Sequence, residues 1–267
     1  MILTAKSNIV VSILPQKTFV QKIAKDRAMV TVMVPPGSSP HSYEPKASQM
    51  IALSKADIYF SIDIEFEEAW LDKFKFQNKN LKFIDMGENI EKIVMVDHHH
   101  DDKSKHHDDL DPHIWTSPKN VSIMAYTIYK SLVALDPKSE TFFKQNLEEF
   151  LAEIKSTDKT IRNIFKDTKA DHIFMVFHPS WGYFAKTYNL RQLAVEVEGK
   201  NPKQKELIAI IKQVRKENIK VIIAQPEFSD KSARAIAKEG GITLKKLSPL
   251  HKEWSKNLIE MAKTCAK

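Results

Sequence analysis

Residues Ser139–Lys155 read Ser-Glu-Thr-Phe-Phe-Lys-Gln-Asn-Leu-Glu-Glu-Phe-Leu-Ala-Glu-Ile-Lys, and no glycine or proline interrupts the chain from Ser139 to Lys166. Phe143, Leu147, Phe150, Leu151, Ile154, Ile161 and Ile164 recur near the helical period, so one stripe is apolar and the rest is charged. The spacing predicts one helix, with Asp136-Pro137 just before its start. At about 1.5 Å per residue it would be roughly 40 Å long, more than one lobe needs. We read it as a rigid rod joining two lobes; the competing reading is a long surface helix on a single domain.

Outward from this helix, strand-like and helix-like runs alternate. Ile9–Leu14, Ala28–Val34, Asp57–Ile62 and Leu81–Asp85 are short, apolar and rich in β-branched or aromatic residues. Gln16–Lys25, Lys46–Lys55 and Glu65–Phe76 lie between them with helical spacing. The alternation resumes with strands at Ile173–Phe177, Ile219–Ala224 and Thr243–Leu247, and helices at Lys203–Asn218 and Asp230–Glu239. Such alternation implies α/β lobes with parallel sheets and helices on both faces. The expected division is an N-terminal lobe over 1–137, a linker helix over 138–167 and a C-terminal lobe over 168–267.

Hydrophobic residues make up 42% of the 267 and charged residues 28%, ordinary values for a globular chain. No apolar run approaches the roughly 20 residues that span a bilayer. Met1–Ser7 lacks the apolar centre of a signal peptide, so the expectation is either a cytosolic chain or one whose leader has been removed. The net charge of +7 is spread along amphipathic stretches with acids between the lysines, and no nucleic-acid motif is present. The single Cys265 can make neither an internal disulfide nor a thiolate cage. Any metal site must therefore use histidine and carboxylate.

Six of the ten histidines lie between Asp97 and His113, interleaved with six aspartates and two lysines. Neutral imidazole is a common ligand for zinc and its neighbours, and this run has almost no apolar residue to bury. His98, His99, His100, His106 and His107 point to transition-metal handling, against the alternative of a solvated polar loop. Three other histidines sit in special surroundings. His41 lies in the proline-stiffened loop Pro35–Pro45, after a strand and before a helix. His113 lies in Asp111-Pro-His-Ile-Trp115, where Asp111 can accept an imidazole N–H. His178 follows the strand Ile173–Phe177 in Phe177-His-Pro-Ser-Trp-Gly-Tyr183-Phe184. The C-terminal edges of parallel strands are where open α/β sheets bind ligands. Convergence of the three on an interlobe cleft would supply three imidazoles of a zinc tetrahedron. His172 reads as a residue at a strand start.

These segments resemble the cluster A-I solute-binding proteins of bacterial ABC importers specific for zinc or manganese, and most closely the zinc-uptake members. Pro40-His-Ser-Tyr-Glu-Pro45, Asp111-Pro-His-Ile-Trp115 and Phe177–Phe184 resemble the three ligand loops; Ser54–Phe60, Glu196–Lys200 and Gln225–Phe228 also have counterparts. The resemblance covers nearly the whole chain. It implies two lobes, a long linker helix, and Zn²⁺ held by His41, His113 and His178. It also implies that residues 97–110 are the accessory metal loop of zinc-specific members. The implied function is capture of zinc for an ABC permease in the inner membrane, by a periplasmic or lipid-anchored monomer with no enzymatic activity, no nucleic-acid partner and no small organic substrate. Many members place a fourth ligand, Asp, where this chain has Leu247-Ser248-Pro249-Leu250. A serine hydroxyl is a far poorer ligand, so the fourth position stays open among water, a loop histidine, Ser248, His251 and Glu198. Three imidazoles without a carboxylate favour zinc over manganese. Because the ligating histidines must be neutral, affinity should fall as pH drops through about 6.5. The alternatives are a manganese or other divalent-metal receptor of the same family, a zinc hydrolase with a three-histidine site, and an adhesin or metal store.

Overall fold

The computed structural model describes residues 6–40, 42–95, 110–169, 171–196 and 201–266. They form two compact units. One comprises Met1–Ile90, Pro118–Ser156 and Leu250–Ser255; the other comprises Glu91–Ser117, Thr157–Pro249 and Lys256–Lys267.

In the first unit, β1 (Ser7–Val11), β2 (Ala28–Val32), β3 (Ile58–Ser61) and β4 (Lys82–Asp85) form a sheet in the order β2-β1-β3-β4. All pairings are parallel, with Ile9 opposite both Val30 and Ile58. The interior strands are covered on both faces, so their apolar runs are continuous: Ile9, Val10 and Val11 are buried, as is all of β3. The edge strands expose Met29 and Lys82. Helices α1 (Leu14–Ala24), α2 (Ala47–Ser54), α3 (Glu65–Gln77) and α4 (Pro118–Leu135) belong to this unit. Phe19 of α1 is fully buried, with the rings of Phe150 and Trp254 each centred 5.6 Å away.

The strand expected to run to Leu14 stops at Val11, and α1 begins at Leu14 with Pro15 in its first turn. That turn needs no N–H from Pro15, whose fixed φ suits a helix start. The buried Gln16 closes the turn: its Oε1 accepts the backbone N–H groups of Ser12 and Ile13, and its Nε2 donates to Phe60 O.

In the second unit, β5 (His172–Val176), β6 (Leu190–Ala194), β7 (Val221–Ala224) and β8 (Thr243–Lys246) repeat the pattern as β6-β5-β7-β8, again all parallel. Helices α6 (Gly182–Tyr188), α7 (Gln204–Lys216) and α8 (Lys231–Gly240) flank this sheet. Met175, Leu193, Val214, Ile222 and Ile236 share one apolar core with their neighbours. The sequence does not announce β6, because Arg191 and Gln192 interrupt its apolar run. β6 is an edge strand in which Arg191 is exposed, while the buried Gln192 accepts the Trp181 N–H.

The long helix of the sequence is α5 (Glu140–Ile164), whose 25 residues would extend about 37 Å. Phe143, Leu147, Phe150, Ile154 and Ile161 form its buried stripe. Its residues through Ser156 belong to the first unit and those from Thr157 to the second. α9 (Trp254–Cys265) ends the chain. Among the described residues no helix is long and apolar enough to cross a membrane.

The first unit carries one buried acid at its strand ends. Glu67 accepts the N–H groups of Ile62 and Asp63 and the Ser12 hydroxyl, and Ser12 Oγ lies 2.6 Å from Tyr59 OH. Burial pushes its carboxyl from 4.5 up to about 7, against the lowering effect of those hydrogen bonds. The folded chain therefore keeps a proton that the unfolded chain has released. Glu67 stabilises the fold fully below its unfolded value, and that contribution is lost as pH rises through about 7. Between these limits the slope approaches about 1.4 kcal/mol per pH unit at most. Urea unfolding of the wild type and Glu67→Gln at pH 5 and pH 8 checks this: the wild type should lose stability relative to the variant on going to pH 8.

Candidate metal centre

In the order β6-β5-β7-β8 the crossover direction reverses between β5 and β7, the place where open α/β sheets bind ligands. His178 stands just beyond the end of β5, and Gln225 just beyond the end of β7. The two are laced together: Gln225 Nε2 donates to His178 O at 2.9 Å and to Ser180 Oγ at 2.7 Å, while Gln225 Oε1 accepts the His178 N–H. The Phe228 ring stacks on the His178 ring, with centroids 4.9 Å apart.

His113 enters from the segment that precedes the short 3-10 turn Ile114–Thr116. Its ring centre lies 5.3 Å from that of His178, at an interplanar angle of 71°. Both side chains are buried, at 8% and 5% exposure. Each gives Nδ1 to a buried carboxylate: His113 to Asp111 Oδ1 at 2.7 Å, His178 to Glu196 Oε2 at 2.6 Å. With Nδ1 so engaged, Nε2 is the nitrogen that would ligate, and the carboxylate fixes the ring's orientation and raises its basicity.

The separation suits one tetrahedral ion. At a metal–nitrogen distance of about 2.1 Å, each ring centre would stand about 3.2 Å from the ion, and a tetrahedral angle would place the centres about 5.2 Å apart.

Asp111 is held on several sides. Its Oδ1 also accepts the His113 backbone N–H, its N–H donates to Ile93 O, and its carbonyl accepts the Tyr183 hydroxyl at 3.0 Å. Burial pushes the Tyr183 hydroxyl up to about 12, so it remains a donor. Gly182 makes room for this arrangement: a Cβ there would lie 2.4 Å from Asp111 Oδ2. Val94 and Leu110 pair in an antiparallel bridge beside the Ile93–Asp111 hydrogen bond. Trp115, its ring 5.2 Å from that of His113, donates its indole N–H to Pro249 O at 2.9 Å.

The structure thus brings together His113 and His178, and Asp111 serves as the imidazole acceptor its spacing predicted. His41, Glu198 and the accessory His98, His99, His100, His106 and His107 lie outside the described residues. Ser248 directs its hydroxyl to Glu227 Oε1. His251 belongs to the first unit, is exposed, and accepts the Glu253 N–H at Nδ1. His172 begins β5 half-buried, with Nε2 2.9 Å from Cys265 O. Among the described residues no three His, Cys, Asp or Glu side chains are gathered around one point. The family resemblance takes in the segments that hold Glu196 and Glu227 without singling out Glu196 as the partner of His178 or Glu227 as that of Ser248. Burial raises the Glu227 carboxyl above the usual range, partly offset by the Ser248 hydroxyl.

The family model described as "Zinc-uptake complex component A periplasmic" matches residues 9–267. The chain belongs to this family. A crystal structure of ZnuA aligns over 98% of each chain with a TM-score of 0.89 and 40% identity. The zinc-binding lipoprotein AdcA of Streptococcus pneumoniae (strain ATCC BAA-255 / R6) is 30% identical over 258 residues, covering 92% of this chain and 50% of that protein. The high-affinity zinc uptake system protein ZnuA of Bacillus subtilis (strain 168) is 26% identical over 255 residues, covering 92% of this chain and 79% of its own. The chain spans about half the length of the streptococcal relatives it matches. The family is one of solute-binding proteins for transport, and its relatives include proteins named as lipoproteins.

The pairs behind the imidazoles can be tested separately. Asp111→Asn should weaken divalent-metal binding by about 10- to 100-fold, because a neutral amide neither raises the imidazole's basicity nor fixes its tautomer as a carboxylate does. Gly182→Ala should do likewise by displacing Asp111, with both effects read by competition against a chromophoric chelator.

Proposed function

We propose that this chain is the zinc-binding receptor of an ABC uptake system, capturing Zn²⁺ outside the inner membrane and delivering it to a permease. The observation that carries the reading is the pair of buried imidazoles at the second sheet's switch point, each with Nδ1 held by its own carboxylate. Membership of the zinc-uptake family supports the same cargo. His41 is the third imidazole in this reading, carried over from the family resemblance. Residues 97–110 act as an accessory that raises the local zinc concentration.

The protein is a carrier rather than an enzyme, periplasmic or lipid-anchored, and works as a monomer against its permease. Borderline imidazole donors favour zinc over manganese. Capture needs neutral imidazoles, so affinity falls as pH is lowered and binding competes with protons.

Calorimetric titration of Zn²⁺ tests the assignment. His113→Ala and His178→Ala should each weaken binding by about 100-fold or more, beyond the range seen when only an imidazole's partner is lost. Wild-type affinity should decline steadily from pH 7.5 to pH 5.5. Unchanged affinity in either variant would overturn the reading.

A further inference from the structure

We propose that Glu227 is a carboxylate ligand for the cation held by His113 and His178, with Ser248 keeping it poised beside them; this rests on the zinc-receptor reading above. Glu227 lies in the loop after β7, between two residues that touch His178: Gln225, whose side-chain amide pairs with the His178 backbone N–H and C=O, and Phe228, through ring stacking. Its partner Ser248 immediately precedes Pro249, whose carbonyl takes the indole N–H of Trp115 beside His113. The Glu227–Ser248 pair therefore ties together the immediate neighbours of both imidazoles.

The carboxylate itself is half satisfied. Oε1 accepts from Ser248, whereas Oε2 is buried and has no hydrogen-bond partner among the described residues. A buried carboxylate oxygen without a donor is costly, and a cation beside it would remove that cost. The two buried carboxylates nearest the imidazoles, Asp111 and Glu196, are already committed to imidazole Nδ1 atoms. Neutral imidazoles leave the ion's double positive charge uncompensated, and one carboxylate both reduces it and fills a tetrahedral position. Since no three potential donors are gathered among the described residues, Glu227 must turn from Ser248 toward the ion as it arrives. That is a change of side-chain rotamer, with the β7 loop kept in place by Gln225.

The test uses the full chain, Zn²⁺ titrated against a chromophoric chelator, and Co²⁺ absorption as a report on the ligand set. Glu227→Gln should bind Zn²⁺ at least about tenfold more weakly and change the visible Co²⁺ bands, a loss no smaller than that from an outer partner. Placing the charge on the contacting residue, as Ser248→Asp in the Glu227→Gln background, should recover the affinity. Zn²⁺ affinity within twofold of wild type in Glu227→Gln, with the same Co²⁺ spectrum, would overturn the proposal. If Glu227→Gln lowers the melting temperature without metal, the double variant decides: no recovery there would also overturn it. His178→Ala is run alongside, because wild-type affinity in that variant would instead overturn the receptor reading.

Discussion

Two buried imidazoles each surrender Nδ1 to a buried carboxylate, and the rest of the site is built to hold that exchange. A carboxylate taken out of water is stabilised only by a full set of donors. Asp111 obtains its donors from the His113 ring and the His113 backbone. Gly182 gives it space and Tyr183 fixes its carbonyl. Gln225 does the corresponding work for the His178 backbone. Once the rings are so held, their orientation and separation are set by folding itself.

The two sheets share one strand order and fill their switch points differently. In the first, the ends of β1 and β3 meet over Ser12, Tyr59 and Glu67, a cluster that satisfies itself internally. In the second, the ends of β5 and β7 carry His178, Gln225 and the partly satisfied Glu227. The same backbone device thus carries a self-satisfied carboxyl cluster in one unit and an imidazole held by its own carboxylate in the other. What separates the uses is a handful of side chains, which is why the fold by itself says little of function.

Much of this was legible in the sequence because parallel interior strands need unbroken apolar runs, as in Ile58-Tyr-Phe60. The helix α5 was legible from its stripe of Phe143, Leu147 and Phe150. β6 was hidden because Arg191 and Gln192 serve an edge strand, where polar residues carry little cost. α4 was hidden by its β-branched and aromatic residues, although Val121, Met124, Ala125 and Ile128 keep helical spacing. His113 and His178 stood out by their flanking motifs, and Asp111 by its nearness to His113. Glu196 and Glu227 lie in segments that the family resemblance singled out, but their contacts with His178 and Ser248 arise only when β6 and β7 are laid on either side of β5.

The Val94–Leu110 bridge and the Ile93–Asp111 hydrogen bond close the chain on itself immediately before Asp111. These backbone contacts fix the chain's approach to Asp111 and the histidine that follows. The entropy of closing that span grows only logarithmically with length, by about 0.6 kcal/mol for each doubling. Mutation can therefore lengthen, shorten or recompose the span while the geometry around His113 stays constant. The clasp makes the span a position of evolutionary freedom, whose length and composition can drift at little cost to the Asp111–His113 pair.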